Sequence, residues 1–394
     1  MDQNVLKRLV EALYDEPLTT STRNLLVNRE REIETLSDTV VLQPGGIYGL
    51  AGEAGVGKTT ILNLLNPGEG EKYFLTISER ENKQIIIADI LYRLARKCVE
   101  KKIAVSRARK YMDFVMNEVS IINGFAGGIN AGVKADMKKE KVKTPRFNIY
   151  KITEYLNELI DELVEAHGKV LMVVDELDKE KKDEVLAVLD SVKHMFITKG
   201  IVLVIAVPPA IYREYAKDSA RVGDIVSEEP GNLDNVFKDV VFSYPLSEEQ
   251  IVEMLLKRLK DELMVFDLKA LEEIAFYSDG IPRDALRMAT RAVIAFKEER
   301  KITADMMVEL IEREVREKIG RFLTLSDKYM RIVKTVAREK VMRKAQIVEE
   351  MVKKGFKSQT VYVYLRRLME RGYLRETEDG SIKVSGKIHY LLDQ

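Results

Sequence analysis

Gly52-Glu53-Ala54-Gly55-Val56-Gly57-Lys58-Thr59 is the stretch on which the reading of this 394-residue chain turns. It follows an apolar run of strand length, Ile47–Ala51, and opens a helical pattern at Thr59. A strand, a glycine-rich loop and a helix in that order form the context in which such a loop cradles phosphates. The glycines let successive backbone N–H groups face the β- and γ-phosphates, and the helix start adds partial positive charge. Lys58 is expected to neutralise the phosphates, the Thr59 hydroxyl to ligate Mg²⁺, and Thr60 to lie beside the α-phosphate. Gly52, Glu53, Ala54, Gly55, Val56, Gly57, Lys58, Thr59 and Thr60 thus make a candidate site for ATP or ADP with Mg²⁺.

A second stretch completes the chemistry. Val170-Leu171-Met172-Val173-Val174-Asp175-Glu176 is an apolar strand that delivers two carboxylates to its C-terminal end. Asp175 is expected to hold the Mg²⁺ through water, and Glu176 to polarise the attacking water. The adjacent glutamate favours hydrolysis over simple nucleotide phosphorylation. Asp178, on the same turn, reads as a helix cap.

Around these motifs, four strand-length apolar runs (Ile47–Ala51, Tyr73–Ile77, Val170–Val174, Ile201–Val207) alternate with helical patterns up to Pro245. Nearly continuous apolar strands separated by helices predict an α/β fold with a parallel sheet covered on both faces. Residues 1–25 read as an amphipathic helix and spacer, and 26–245 as the sheet domain. Residues 246–320 hold four helical patterns, Ser247–Glu262, Leu268–Tyr277, Pro282–Arg300 and Thr303–Lys318, which predict an all-helical lid. Residues 325–394 hold three more, then two short strands around Asp379-Gly380: the outline of a winged helix. The segment Ile121–Lys143 alternates with period two, is rich in glycine and ends in lysines. It reads as a hairpin or ribbon inserted into the sheet domain.

Three stretches resemble AAA+ ATPases. Leu26-Val27-Asn28-Arg29-Glu30-Arg31 is similar to the Arg-Glu box that opens many of them, beside the adenine. Ser278-Asp279-Gly280-Ile281-Pro282-Arg283 is similar to the sensor 2 motif, whose arginine reaches from the lid to the γ-phosphate. With the lid end around Lys301–Met307 and a C-terminal winged helix, the layout resembles the archaeal origin-recognition and replication-initiator branch. The resemblance implies roles for Arg29 and Arg283 at the nucleotide, and assembly with copies of itself or other AAA+ subunits. It also implies an arginine finger, for which Arg221 is the first choice and Arg213 the second. Two departures stand out. Ile201–Val207 runs into Pro208 with no polar sensor 1 residue, and the ribbon does not match the helical insertion of the initiator branch. A nucleotide-gated signalling or assembly switch, or a transposition or plasmid-maintenance ATPase, remains the alternative.

The formal net charge is zero, but Leu325–Gln394 carries 16 Lys or Arg against 9 Asp or Glu, a balance of +7. A basic terminal module points to duplex DNA. Gln359 and Thr360, at the start of the third helix of that module, are placed to read bases. Lys357, Tyr362, Arg366 and Arg367, with Arg375 and Lys383 of the wing, are placed for phosphates or sugars. If the module docks protein instead, these residues form that contact. One cysteine, Cys98, and three histidines (His167, His194, His389) leave no Cys- or His-based metal site. No apolar run approaches membrane-spanning length and the start has no secretion signal, so the expectation is a cytoplasmic protein with no membrane partner.

Overall fold

The computed structural model describes residues 2–78, 83–127, 148–196, 200–219, 233, 235–318, 325–377 and 379–392. Helix α1 (Gln3–Ala12) and a 3-10 turn at Thr20–Leu25 precede α2 (Glu30–Leu42). There follow β1 (Gly46–Gly52), α3 (Lys58–Leu64), β2 (Glu71–Thr76), α4 (Lys83–Glu100), α5 (Val105–Gly127) and α6 (Ile149–His167). Then come β3 (Val170–Asp175), α7 (Lys182–Phe196), β4 (Ile201–Val207), α8 (Pro209–Ser219) and β5 (Asp239–Ser243). The sheet order is β2-β3-β4-β1-β5, and every neighbouring pair is parallel.

Strands β1, β3 and β4 are buried along their whole length. Their alternating side chains feed two cores. Ile47, Leu203 and Ile205 join the cluster under α4, α6 and α7, while Tyr48, Leu50, Val202 and Val204 join the one under α2 and α3. Packing on both faces is why these strands are almost uniformly apolar. It also fixes the C-terminal ends of β1 and β3 at the same edge of the sheet with β4 between them, where the glycine loop and the Asp175 turn emerge.

After β5 the chain is helical: α9 (Glu248–Leu259), α10 (Leu268–Ser278), α11 (Pro282–Ala295) and α12 (Ala304–Lys318). Ser247 and Gln250 cap α9 reciprocally, at 3.0 and 3.2 Å. These four helices share a core that also takes Leu9 and Leu13 of α1. The C-terminal unit runs α13 (Asp327–Glu339), β6 (Val341–Arg343), α14 (Lys344–Lys353), α15 (Ser358–Glu370), β7 (Leu374–Glu376), β8 (Ser381–Val384), α16 (Gly386–Leu392). Its three strands form an antiparallel sheet in the order β6-β8-β7, over a core of its own.

Several elements differ from the sequence expectation. Helix α5 continues through residues 121–127, which a period-two ribbon would have made extended. Residues 128–143 of that expected ribbon lie outside the described residues. Ala108, Tyr111 and Val115 form a buried face on α5, and that helical spacing outweighs the alternation further on. Strands β5 and β6 and helices α8 and α16 are short, and no periodicity of useful length marks them.

The C-terminal unit is fastened to the lid by one buried carboxylate. Asp279, at φ +53 between α10 and α11, accepts from Ser385 Oγ at 2.7 Å and from Gly386 N at 2.8 Å. Tyr390 Oη bonds Glu273, and Lys387 pairs with Asp284. Gly280 follows at φ +76, where a Cβ would lie 2.0 Å from the Leu246 carbonyl. Gly280→Ala is therefore expected to lower unfolding stability by roughly 3 kcal/mol, measured by urea titration, because both backbone conformation and space forbid a side chain.

Candidate nucleotide site

Strand β1 ends at Gly52 and α3 begins at Lys58, so the intervening backbone turns with its N–H groups at a helix start. Gly57 caps α3 at φ +109, a conformation closed to side chains. Gly55 stands at φ +83 and faces the lid: a Cβ there would come 2.9 Å from Arg283 Cβ.

Lys58 is 6% exposed. Its ammonium donates to the carbonyls of Gly52 and Glu53, each at 2.8 Å, and pairs with Asp178 Oδ2 at 2.8 Å. Asp178 therefore does not cap a helix as its position suggested. It lies in a 3-10 turn, Leu177–Lys179, and is the counter-ion of the loop lysine.

The two motifs meet directly. Thr59 Oγ1 donates to Asp175 Oδ2 at 2.7 Å, across 116 residues of sequence. Asp175 also accepts from the Glu176 backbone N–H at 2.8 Å. Burial pushes the Asp175 carboxyl above its ordinary pKa; the bonds from Thr59 and Glu176 oppose the rise, while the charges of Asp178 and Glu176 add to it. A hydroxyl and a carboxylate in this contact suit Mg²⁺, which takes one or two protein oxygens and completes its shell with phosphate oxygens and water. Among the described residues no group of three His, Cys, Asp or Glu could form an all-protein metal cage. Glu176 sits in the left-handed region at φ +76, and its carboxylate is engaged by Lys179. A non-glycine residue in that region marks a constrained turn.

A cleft lies between the loop and the four-helix unit that follows β5. Its lining combines the polar Lys58, Thr59 and Asp175 with the apolar Leu18, Leu25, Leu26, Val27, Met254 and Leu286. Polar groups suited to phosphates and apolar side chains suited to a base in one cleft fit a nucleotide. The N-terminal spacer contributes more than its sequence suggested. Leu18 N donates to Thr60 Oγ1 at 3.1 Å, which ties the spacer to the start of α3. Asp15 accepts from Arg287 Nε at 2.8 Å and lies 3.9 Å from Arg283 Nε. Short polar residues in an irregular stretch gave no periodic signal that could have marked Asp15 or Leu18 as wall residues.

Arg283 follows Pro282 at the start of α11, and its backbone N approaches the Gly55 carbonyl at 3.4 Å. The start of α11 thereby touches the loop. Arg29 lines the cleft, but its guanidinium binds the carbonyls of Val56 at 3.2 Å and Tyr244 at 2.7 Å. It braces the loop from behind instead of presenting its donors to a base. Strand β4 ends at Val207 before Pro208, so no polar side chain stands at its tip. Arg221 lies outside the described residues, and Arg213 is exposed on α8.

Of the terminal candidates, Lys357, Gln359, Tyr362, Arg366 and Arg367 are exposed along α15, with Thr360 half-buried. Arg367 donates to Tyr329 Oη at 3.3 Å. Arg375 and Lys383 are placed differently from the expectation of a free wing. Arg375 Nη1 donates to Glu53 Oε2 at 2.5 Å and its Nε lies 3.1 Å from Asp279. Lys383 faces Glu248 at 3.4 Å. Both cations are turned inwards because the body offers them carboxylates. Burial works against the Arg375 charge, but Asp279 and Glu53 outweigh it and raise its pKa.

Comparison with known proteins places this geometry. The profile described as the KAP family P-loop domain matches residues 29–229, a little over half of the chain. A Walker-type ATPase of Pyrococcus abyssi shares the fold at TM-score 0.54 and 16% identity, over 97% of this chain and 99% of that one. The ORC2 protein of Aeropyrum pernix, in ADPNP–ADP complexes, aligns at TM-score 0.48 and 13% identity, over 98% and 96%. No curated protein matches the chain. No helix among the described residues is long and apolar enough to cross a membrane.

The raised Asp175 pKa makes a signed prediction. The stability linked to its protonation is present below the unfolded-state value and is lost as pH rises through the folded-state value. Asp175→Asn is expected to raise the melting temperature of the nucleotide-free protein by a few degrees at neutral pH. Calorimetry across pH should show that gain vanish on acidification towards the ordinary aspartate range.

Proposed function

Because the chain belongs to the KAP family of P-loop NTPases, we propose that it binds ATP with Mg²⁺ and hydrolyses it to ADP and phosphate. We further propose that its C-terminal unit is a winged helix engaging duplex DNA, in the manner of a replication initiator. The contact between Thr59 and Asp175 carries the nucleotide reading, since it joins loop hydroxyl and strand-end carboxylate at one point.

Each residue then has a defined task. The loop N–H groups between Gly52 and Thr59 orient the phosphates. Lys58 exchanges part of its carbonyl and Asp178 shell for phosphate oxygens. Thr59 and Asp175 hold the Mg²⁺. Bound there, the metal supplies charge neutralisation for phosphoryl transfer. Glu176 accepts the proton of the attacking water once Lys179 releases its carboxylate. Arg283, carried on the lid beside Gly55, reaches the γ-phosphate. With no polar group at the tip of β4, the water is held by fewer groups, and turnover is slow. A neighbouring subunit supplying an arginine finger from Arg221 or Arg213 would complete the site.

The order of the C-terminal elements, helix, strand, two helices and two strands, supports the winged-helix reading. Exposed Lys357, Gln359, Tyr362, Arg366 and Arg367 on its third helix support DNA contact. One observation favours a second reading, a nucleotide-gated assembly switch whose C-terminal unit docks protein. The wing cations Arg375 and Lys383 are already paired with carboxylates of the body.

Lys58→Ala is expected to abolish nucleotide binding by titration calorimetry; retained binding would relocate the site. Glu176→Gln is expected to keep ATP bound while turnover falls by at least about 100-fold in a phosphate-release assay. For DNA, a fluorescent duplex titrated at several salt concentrations separates the readings. Arg367→Ala should weaken binding and flatten the logarithmic salt slope by about 1. No salt-dependent binding in any nucleotide state favours the switch.

A further inference from the structure

Resting on the nucleotide reading above, we propose that Arg375 is a positioning residue of the phosphate loop. By neutralising Glu53 it makes nucleotide affinity depend on the docking of the C-terminal unit. The observation is the place where Arg375 ends. It stands on β7, remote in sequence from the loop, yet its Nη1 reaches Glu53 Oε2 at 2.5 Å. Its side chain is 19% exposed and leans on Asp279, which is 1% exposed. Asp279 in turn holds Ser385 and Gly386, so Arg375 is aimed by the same carboxylate that fastens the C-terminal unit to the lid.

The charge logic follows from position. Glu53 is the second residue of a loop shaped for polyphosphate, and its carboxylate bears the same sign as that ligand. An unneutralised carboxylate on the loop repels an incoming nucleotide; a guanidinium bound to it removes that repulsion. Lid and C-terminal unit are tied by Asp279, by Tyr390 with Glu273 and by Lys387 with Asp284. They turn together, and the Glu53–Arg375 pair then forms or breaks with that turn. Coupling of this kind is reciprocal. Docking strengthens nucleotide binding, and nucleotide strengthens docking by the same factor. Engagement of the wing cations by another polyanion draws Arg375 from Glu53 and loosens nucleotide. The pair thus links the two ends of the chain without any contact between Arg375 and the nucleotide itself.

The test is a double-mutant cycle on the affinity of a fluorescent non-hydrolysable ATP analogue, using full-length protein. Arg375→Gln is expected to weaken binding by about fivefold or more at low salt. In the Glu53→Gln background the same Arg375→Gln change should cost less than about twofold, because the repulsion it exposes is gone. An equal loss in both backgrounds overturns the proposal, since Arg375 then acts independently of Glu53. Arg375→Gln also takes a cationic partner from the buried Asp279 and can loosen the unit by itself, so Glu53→Gln alone provides a second measurement. With spin labels at the exposed positions Asp190 and Glu349, nucleotide should narrow the distance distribution in the wild-type background and not in Glu53→Gln. The same narrowing in both overturns the proposal. Wild-type protein that binds no analogue overturns the nucleotide reading itself, and this inference with it; binding without coupling overturns the inference alone.

Discussion

A buried ammonium must be surrounded by oxygen, and that requirement organises this molecule. Lys58 cannot leave the protein, because the backbone that carries it is fixed between β1 and α3. Water cannot serve it at 6% exposure, so carbonyls of Gly52 and Glu53 bend towards it and Asp178 moves in from the end of β3. An unpaired charge in such a place would cost several kcal/mol, so the loop's shape and the β3 turn are not independent features. The parallel register from β1 through β4 to β3 brings those partners within reach. The same crowding leaves Asp175 beside two other carboxylates, whose charges add to the burial that raises its pKa.

Charge is balanced locally as well as overall. The C-terminal unit carries an excess of cations, yet those nearest the body are spent on Glu53, Asp279, Asp284 and Glu248. Others face outwards, among them Lys328, Arg331, Lys334 and Arg338 on α13 and Arg366 and Arg367 on α15. The C-terminal unit thus keeps some of its cations at the surface and uses others as fasteners. A fastener that ends on the phosphate loop joins the two ends of the chain more tightly than sequence distance suggests.

How much of this was legible in advance depends on the kind of signal. The glycine loop and the Asp175–Glu176 strand end were readable because local spacing alone defines them, and their meeting through Thr59 follows from parallel topology. Four strands of the sheet announced themselves as apolar runs; β5, with only Val240 and Ser243 buried, did not. The partners of the motif residues were not readable. Asp178 looked like a cap because its own neighbourhood suits one, and only the folded chain shows the ammonium beside it. Arg29 looked like a base contact, and its carbonyl partners reach as far along the chain as Tyr244. Arg375 looked like a free wing residue because nothing near it in sequence betrays Glu53. Long-range electrostatics leave no periodicity, which is why they escaped a reading built on local pattern.

Strand β1 has consequences for how the chain acquires its shape. Its hydrogen-bonding neighbours are β4 and β5 only, so the strand that carries the phosphate loop has no partner until Ile201–Val207 has been made. During synthesis Ile47–Ala51 waits as an unpaired, wholly apolar edge while the helices between it and β4 emerge and begin to condense. Contacts of such sequence separation form late and slowly, and the waiting edge is a natural target for chaperones or for wrong pairing with another chain. The loop can therefore take its final shape only after the sheet closes and the strand that carries it has gained both neighbours.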